Sequence, residues 1–476
     1  MTSPHRHAPY HYIAGKAANL ALAPVAVILL PGMIGEEGYG NYSYWFGLIS
    51  IYIVLLDFGC QPVLRRFLPE IVDHHPQQSA SLFHRCLTIK LIPLTLLILG
   101  SLLLASDKTT AIALIAAAAA AAIATNFADV YYAYQRMGTH SAVLLGRKTC
   151  RLILVPLFFF LWEIPGIFIA LVITEFLALL ISAPATKLFS GKRHPLTKPF
   201  RHYHYHGFIV FIAFLFATLA GRMPVISAGW LSLDMDTIGR LALCIDLSFF
   251  ALKELINSVS ESIFPRLISY KSASQTSKYQ QLVQLNYRVV NFVTLAALAL
   301  SQGLISSFLP LLGSGFYKAE TELRILLPFI LLACWTCIHN QHMLIHNRSH
   351  QLAINQVCGF AAGSIYVAYA YSNTQITITH LVYALCIAIT TSCIISYLSY
   401  REGPFSWQTF SNFVRLLPAT IITATVLYQW NPNNILDIVL ATLVGGILFL
   451  AVNLMTKGVS TQDLQWLRNS LRKDSS

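Results

Sequence analysis

Ionisable side chains stand out in this sequence because the runs around them are almost wholly apolar. A charge in hydrocarbon costs at least about 2.5–3.5 kcal/mol, so such residues face a cavity or each other and mark a pathway. Asp246, Lys253, Asn257 and Glu261 share one apolar run. At about 100° per residue they lie within roughly 80° of one another around an ideal helix, with Glu254 beside the stripe. Desolvation raises a carboxyl pKa and a nearby cation lowers it, which makes Asp246 and Glu254 candidates for ion or proton coupling. In the preceding run Arg222 stands two residues before Pro224, a fixed positive charge beside an expected kink. A guanidinium fork suits phosphate as well as carboxylate. Arg222 is therefore the first candidate for holding an anion, with pairing to Asp246 as its structural alternative.

His339, His342, His346 and His350 follow one another at helical spacing. Spread along about 16 Å of axis, they are too dispersed for one metal site and read as hydrogen-bond donors on a wet, proton-sensitive path. With Arg222, Lys253 and Asn257, the residues His339, His342 and His346 complete the substrate-facing set. Asp57 and Asp129 read as structural acids, with Arg65, Arg136 and Arg147 as partners. The run from His202 to His206 reads as an interfacial belt of amphipathic rings. Covalent chemistry finds no footing: the sequence has no P-loop, no G-x-S-x-G and no H-E-x-x-H. Its nine cysteines are scattered, and the pair Cys334 and Cys337 has no second pair to complete a zinc site. No enzyme activity, cofactor or metal is expected.

The elements that must position these residues are membrane helices. Of 476 residues 56% are hydrophobic and 11% charged, where a soluble domain has about 25% charged. Apolar runs of about 20 residues recur, each long enough to cross a hydrocarbon core of about 30 Å. They are continuous rather than alternating, so helices and not barrel strands are implied. The spacing predicts about fourteen spans, near 13–34, 43–63, 86–105, 110–134, 149–162, 166–183, 207–231, 238–262, 289–312, 324–345, 352–372, 379–400, 413–430 and 435–456. The net charge of +12 comes from Lys and Arg in alternate loops, a topology signal that excludes nucleic acid as the partner. The positive-inside rule then puts both termini in the cytoplasm. The outer loops are short and mostly acidic, with no room for an extracytoplasmic domain.

The basic stretch 191–206 reads as a connector between an N-terminal bundle, 1–190, and a second one, 207–400. Residues 401–476 supply a further helix pair and a cytoplasmic tail. Gly40 and Gly239 each open a span closed by prolines and arginines, which suggests a parallel internal repeat. The alanine run Ala116 to Ala122 is a close-packing surface.

Four segments carry a resemblance: residues 35–43 (GEEGYGNYS), Asp57-Phe58-Gly59 ahead of Arg65-Arg66, residues 261–266 (ESIFPR) and residues 315–319 (GFYKA). In order and spacing the chain resembles the Wzx-type polysaccharide or O-antigen flippases of the multidrug/oligosaccharidyl-lipid/polysaccharide exporter superfamily. The resemblance implies an all-α fold of two six-helix bundles plus a C-terminal helix pair, working by alternating access in the bacterial inner membrane. It implies an undecaprenyl-diphosphate-linked glycan as cargo, moved from the cytoplasmic to the periplasmic leaflet for lipopolysaccharide O-antigen assembly. Membrane lipids and a polysaccharide polymerase or glycosyltransferases are the implied partners. Two other readings stay open. One is an ion-coupled multidrug exporter of the same fold, with Asp246, Glu254 or Glu175 exchanging an ion. The other is a polytopic polymerase or glycosyltransferase.

Overall fold

The computed structural model describes residues 8–456, apart from 190–193, 254–262, 264–266, 269, 272–273, 314, 374 and 400–406. The described residues are helical with no strand, as the continuous apolar runs require. In chain order the α-helices are α1 (Ala8–Asp57), α2 (Cys60–His74), α3 (Ser79–Ile89), α4 (Leu91–Leu104), α5 (Lys108–Ala133), α6 (Met137–Ser182), α7 (Phe200–Trp230) and α8 (Met235–Ile245). After these come α9 (Thr276–Leu312), α10 (Glu320–Leu326), α11 (Phe329–Ile345), α12 (Ser349–Asn373), α13 (Ile378–Ser399), α14 (Trp407–Trp430) and α15 (Ile435–Met455).

Two helices are too long for one crossing. At 1.5 Å per residue the 50 residues of α1 would reach about 75 Å, more than twice a hydrocarbon core. Both break where the backbone turns left-handed, α1 at Gly35 (φ 70°) and α6 at Glu163 (φ 54°). After Glu163 the chain doubles back so tightly that a Cβ on Gly166 would collide with the Phe158 carbonyl. Two further spans bend by 51° at a short break, α1 into α2 and the Phe316–Leu326 arm into α11. Among the described residues nine helices are long and apolar enough to cross a membrane, or eleven if each bent pair counts as one span. With α1 and α6 divided at their breaks, α2 joined to the second arm of α1, α3 to α4 and α10 to α11, the described residues form fourteen helical segments, the number read from the sequence.

The chain divides into two compact units, 1–243 with 349–388, and 244–348 with 389–476. In the first, the core around Cys60, Val63, Leu68, Phe83, Phe127 and Tyr131 gathers α2, α3 and α5. Ala117, Ala118, Ala120, Ala121 and Ala122 are buried, so the alanine run is the packing surface the sequence suggests. Its neighbours α1 and α6 can approach closely because a methyl is all that stands between them. In the second, Leu295 and Ala299 of α9 pack against Leu416 and Ala419 of α14 and Phe449 of α15.

The outward faces are apolar too. Leu96 and Leu103 of α4 and Leu436 and Met455 of α15 are exposed, which in water would be a liability and in a bilayer is the solvent-facing surface. This is a multi-pass membrane protein.

Gly40 and Gly239, the suggested repeat partners, meet at a helix crossing. A Cβ on Gly40 would strike the Met235 carbonyl, and one on Gly239 the Glu36 carbonyl. Arg240 and Glu36 lie 3.7 Å apart beside that contact.

Candidate functional site

Among the described residues a concentration of intramembrane charge lies in the first unit and is built on α6. Arg147 and Arg151 are one helical turn apart and so share a face. Glu175 stands on the arm of the same helix that returns after Glu163. Arg147 Nε lies 2.6 Å from one carboxylate oxygen of Glu175, and an Arg151 terminal nitrogen donates to the other at 2.7 Å. The Glu175 side chain is fully buried, while Arg147 and Arg151 keep 19% and 13% exposure. Both arginine side chains therefore keep some contact with the space beside the helix.

Phe46 of α1 joins this pair to a third guanidinium. Arg151 Cζ sits 4.2 Å from the Phe46 ring centroid and Arg222 Cζ sits 4.8 Å from the same centroid. Tyr42 stacks on that ring one turn earlier, with centroids 5.7 Å apart. A desolvated cation–π contact contributes about 2 kcal/mol, so one aromatic ring helps hold two like charges close together. Arg222, buried to 4% exposure, is thus part of an arginine-rich, aromatic cluster formed by three spans. Guanidiniums so arranged can bind phosphate or diphosphate oxygens bidentately. They offer no nucleophile.

Two further ion pairs tie the first unit together. Lys90 stands between α3 and α4 and its ammonium donates to Asp57, at the end of α1, at 2.9 Å. The Asn126 amide of α5, correctly oriented, donates to the same carboxylate and accepts from the ammonium. Asp57 also accepts the Gln61 backbone N–H, capping α2. A pair of helix breaks is therefore closed by a buried, hydrogen-bonded pair. Asp129 accepts from Arg65 at 2.9 Å, one of the pairings suggested by the sequence. Arg147, expected near these acids, goes to Glu175 instead.

Most of the remaining candidates among the described residues belong to the second unit. Asp246 is buried and opens a π-helical turn, Asp246–Leu252. With i→i+5 bonds each residue rotates by less than 100°, so the stripe built on ideal α-helical spacing is displaced between Asp246 and Lys253. Lys253 is half-buried and within electrostatic range of Cys334. Glu254, Asn257 and Glu261 lie outside the described residues. His339 and His342 are buried on α11. His339 packs against Tyr287 of α9 and Tyr397 of α13, with ring centroids 5.9 and 6.4 Å away. The Tyr279 hydroxyl hydrogen-bonds His342 Nδ1 at 2.6 Å and His346 Nε2 at 3.3 Å. The stripe stops there, because Asn347 turns left-handed (φ 56°) and ends the helix. His350 lies in the first unit, its ring 6.1 Å from Tyr205. Among the described residues no three His, Cys, Asp or Glu converge to hold a metal ion.

Arg151 and Glu175 are the residues that sequence reasoning valued too little. A fifth span started at 149 puts Arg151 at its very end, yet α6 begins at Met137, so Arg151 stands about four turns inside a helix. The available signal was the i, i+4 arginine pair leading into an apolar run that had a lone glutamate in its successor.

A family model described as polysaccharide biosynthesis protein matches residues 11–271. No curated protein matches the sequence. Among solved structures, a lipid II flippase MurJ in an inward closed conformation is similar with a TM-score of 0.71 at 11% identity, over 94% of this chain and 98% of that one. The Vibrio cholerae MATE transporter VcmN is similar with a TM-score of 0.58 at 15% identity, over 83% and 95% of the two chains. An inward-facing multidrug resistance MATE family transporter of the MOP superfamily gives 0.57 at 12% identity, over 80% and 94%. At such identities the likeness is one of fold.

Proposed function

We infer the function of a chain that belongs to the polysaccharide biosynthesis protein family: it is a transporter that carries a lipid-linked oligosaccharide across the membrane. The cargo is an undecaprenyl-diphosphate-linked glycan, moved from the cytoplasmic to the periplasmic leaflet of the bacterial inner membrane by alternating access, with both termini cytoplasmic. The observation that carries this reading is the gathering of Arg147, Arg151 and Arg222 around Phe46 and Glu175 inside a membrane fold similar to that of a lipid II flippase. A diphosphate headgroup is the ligand whose charge and geometry such a cluster suits.

Lys253, Asn257, His339, His342 and His346 are the further substrate-facing candidates, with Asp246 and Glu254 as coupling groups. A polymerase or glycosyltransferases would act before or after the transfer. The likeness to MATE transporters favours an ion-coupled multidrug exporter as the second reading. An arginine cluster repels the cationic drugs such an exporter takes, which supports the first.

The two readings separate in one experiment. Arg151→Ala and Arg222→Ala should abolish surface glycan in a complementation assay while the protein stays in the membrane at near-normal abundance. Full glycan display by both variants would refute the anion-binding role. Drug resistance conferred by the wild type, without glycan display, would establish the second reading.

A further inference from the structure

We propose that Tyr279 relays a proton between His346 and His342, linking the aqueous face at which α11 ends to a protonatable site inside the second unit. The proposal rests on the transport reading only for its cargo. Three side chains on two helices make the path. His346 caps α11 and is half-buried. His342, one turn earlier, is 1% exposed. The Tyr279 hydroxyl of α9 bridges them, at 3.3 Å from His346 Nε2 and 2.6 Å from His342 Nδ1.

The bridging atom can do what a relay requires, because a phenol hydroxyl both donates and accepts. With His346 protonated, its Nε2–H bond breaks as that proton joins the Tyr279 oxygen. The hydroxyl's own proton leaves at the same time and forms an N–H bond at His342 Nδ1. His346 ends neutral, His342 ends protonated, and Tyr279 is regenerated. A direct exchange between the two imidazoles is replaced by one short and one longer hydrogen bond, at 2.6 and 3.3 Å, and the rings need not rotate. Beyond His342 the polar surface continues one turn deeper to His339, which touches Tyr287 and Tyr397.

Burial falls off along the path as an entry route demands, from the buried His342 to the half-buried His346. A purely structural cross-link between α9 and α11 would need one histidine; the second places the hydroxyl between an accessible and an inaccessible base. His339 and His346 flank His342 on its own helix, close enough for their charge to be felt there. The elements packed against α11 carry Lys278 and Arg288 on α9, Asp246 on the π turn with Lys253 after it, and Glu320, Glu322 and Arg324 on α10. A proton taken from His346 leaves that imidazole neutral, so its transfer removes part of the repulsion it would otherwise meet at His342.

The test is a titration of the full chain, labelled with 15N-histidine, in lipid nanodiscs. His342→Gln and His346→Gln assign the two signals. In the wild type the pair should titrate in two linked steps and exchange a proton. Tyr279→Phe keeps the ring and removes the hydroxyl, and should unlink them, leaving His346 to titrate alone. Unchanged linkage in Tyr279→Phe would overturn the relay. The transport arm uses vesicles with an imposed pH gradient and lipid-linked glycan. There Tyr279→Phe should lose the gradient dependence that the wild type shows, and a wild type that moves glycan without any gradient dependence would overturn the coupling. A wild type that moves no glycan would instead refute the cargo, and the titration would still decide the relay.

Discussion

Replacing Glu175 by Gln removes the one carboxylate that stands between two guanidiniums inside the first unit. Arg151 donates to it at 2.7 Å in a charge-assisted hydrogen bond, and Arg147 Nε pairs with it as an ion at 2.6 Å. Such a hydrogen bond contributes about 1.5–3 kcal/mol. Glutamine retains one acceptor oxygen, so the geometry of one bond survives while its charge is lost. The second guanidinium then faces an amide N–H in place of an acceptor. Removing one partner of a buried ion pair costs about 3–5 kcal/mol, because it leaves charge uncompensated in low dielectric. The arginines are less than one-fifth exposed, so solvent screening reduces this little. At roughly 2 °C per kcal/mol for a large domain, the thermal midpoint in detergent should fall by about 6–10 °C. A double variant, Arg147→Gln with Glu175→Gln, should recover part of that loss, since it removes one of the two stranded charges. The assay is the fraction of monodisperse protein surviving a temperature series. A midpoint for Glu175→Gln within about 2 °C of wild type would refute the view that this carboxylate anchors the cluster.

Lys90→Met should destabilise the first unit by about 3–5 kcal/mol by stranding the Asp57 carboxylate, while Lys90→Met with Asp57→Leu should recover most of it, as apolar replacement of whole buried pairs commonly does. The same melting assay checks both, and a double variant no better than the single one would show that the pair is needed for more than charge balance. For topology, single cysteines placed in the 191–206 connector and in the C-terminal tail of a cysteine-free protein should resist impermeant thiol reagents in intact cells. Labelling from outside at either place would reverse the proposed orientation.

The span pattern, the all-helical class and the presence of Arg222 and the histidine stripe within apolar runs could be read from the sequence because each is a local property. A helix in hydrocarbon satisfies its own backbone, so apolar length alone marks it. The close approach at Gly40 and Gly239 was half visible, as a likeness between two segments; that the two glycines cross one another was not. Arg65 with Asp129 was among the readable pairings, since both lie near the ends of their spans.

What only the tertiary structure decided is which charges meet. Glu175 could have served any cation at its depth, and the hairpin at Glu163 selects Arg147 and Arg151 by turning the second arm of α6 back along the first. Phe46 is an unremarked apolar residue in the sequence; three helices converging on it make it the contact shared by Arg151 and Arg222. The histidine stripe looks continuous at a period of 3.6, yet a left-handed Asn347 divides it and a tyrosine from another helix joins two of its members. Period and composition report what one helix presents. Pairing across helices depends on their depth and rotation relative to one another, which the packing of all the spans sets together and no single segment encodes.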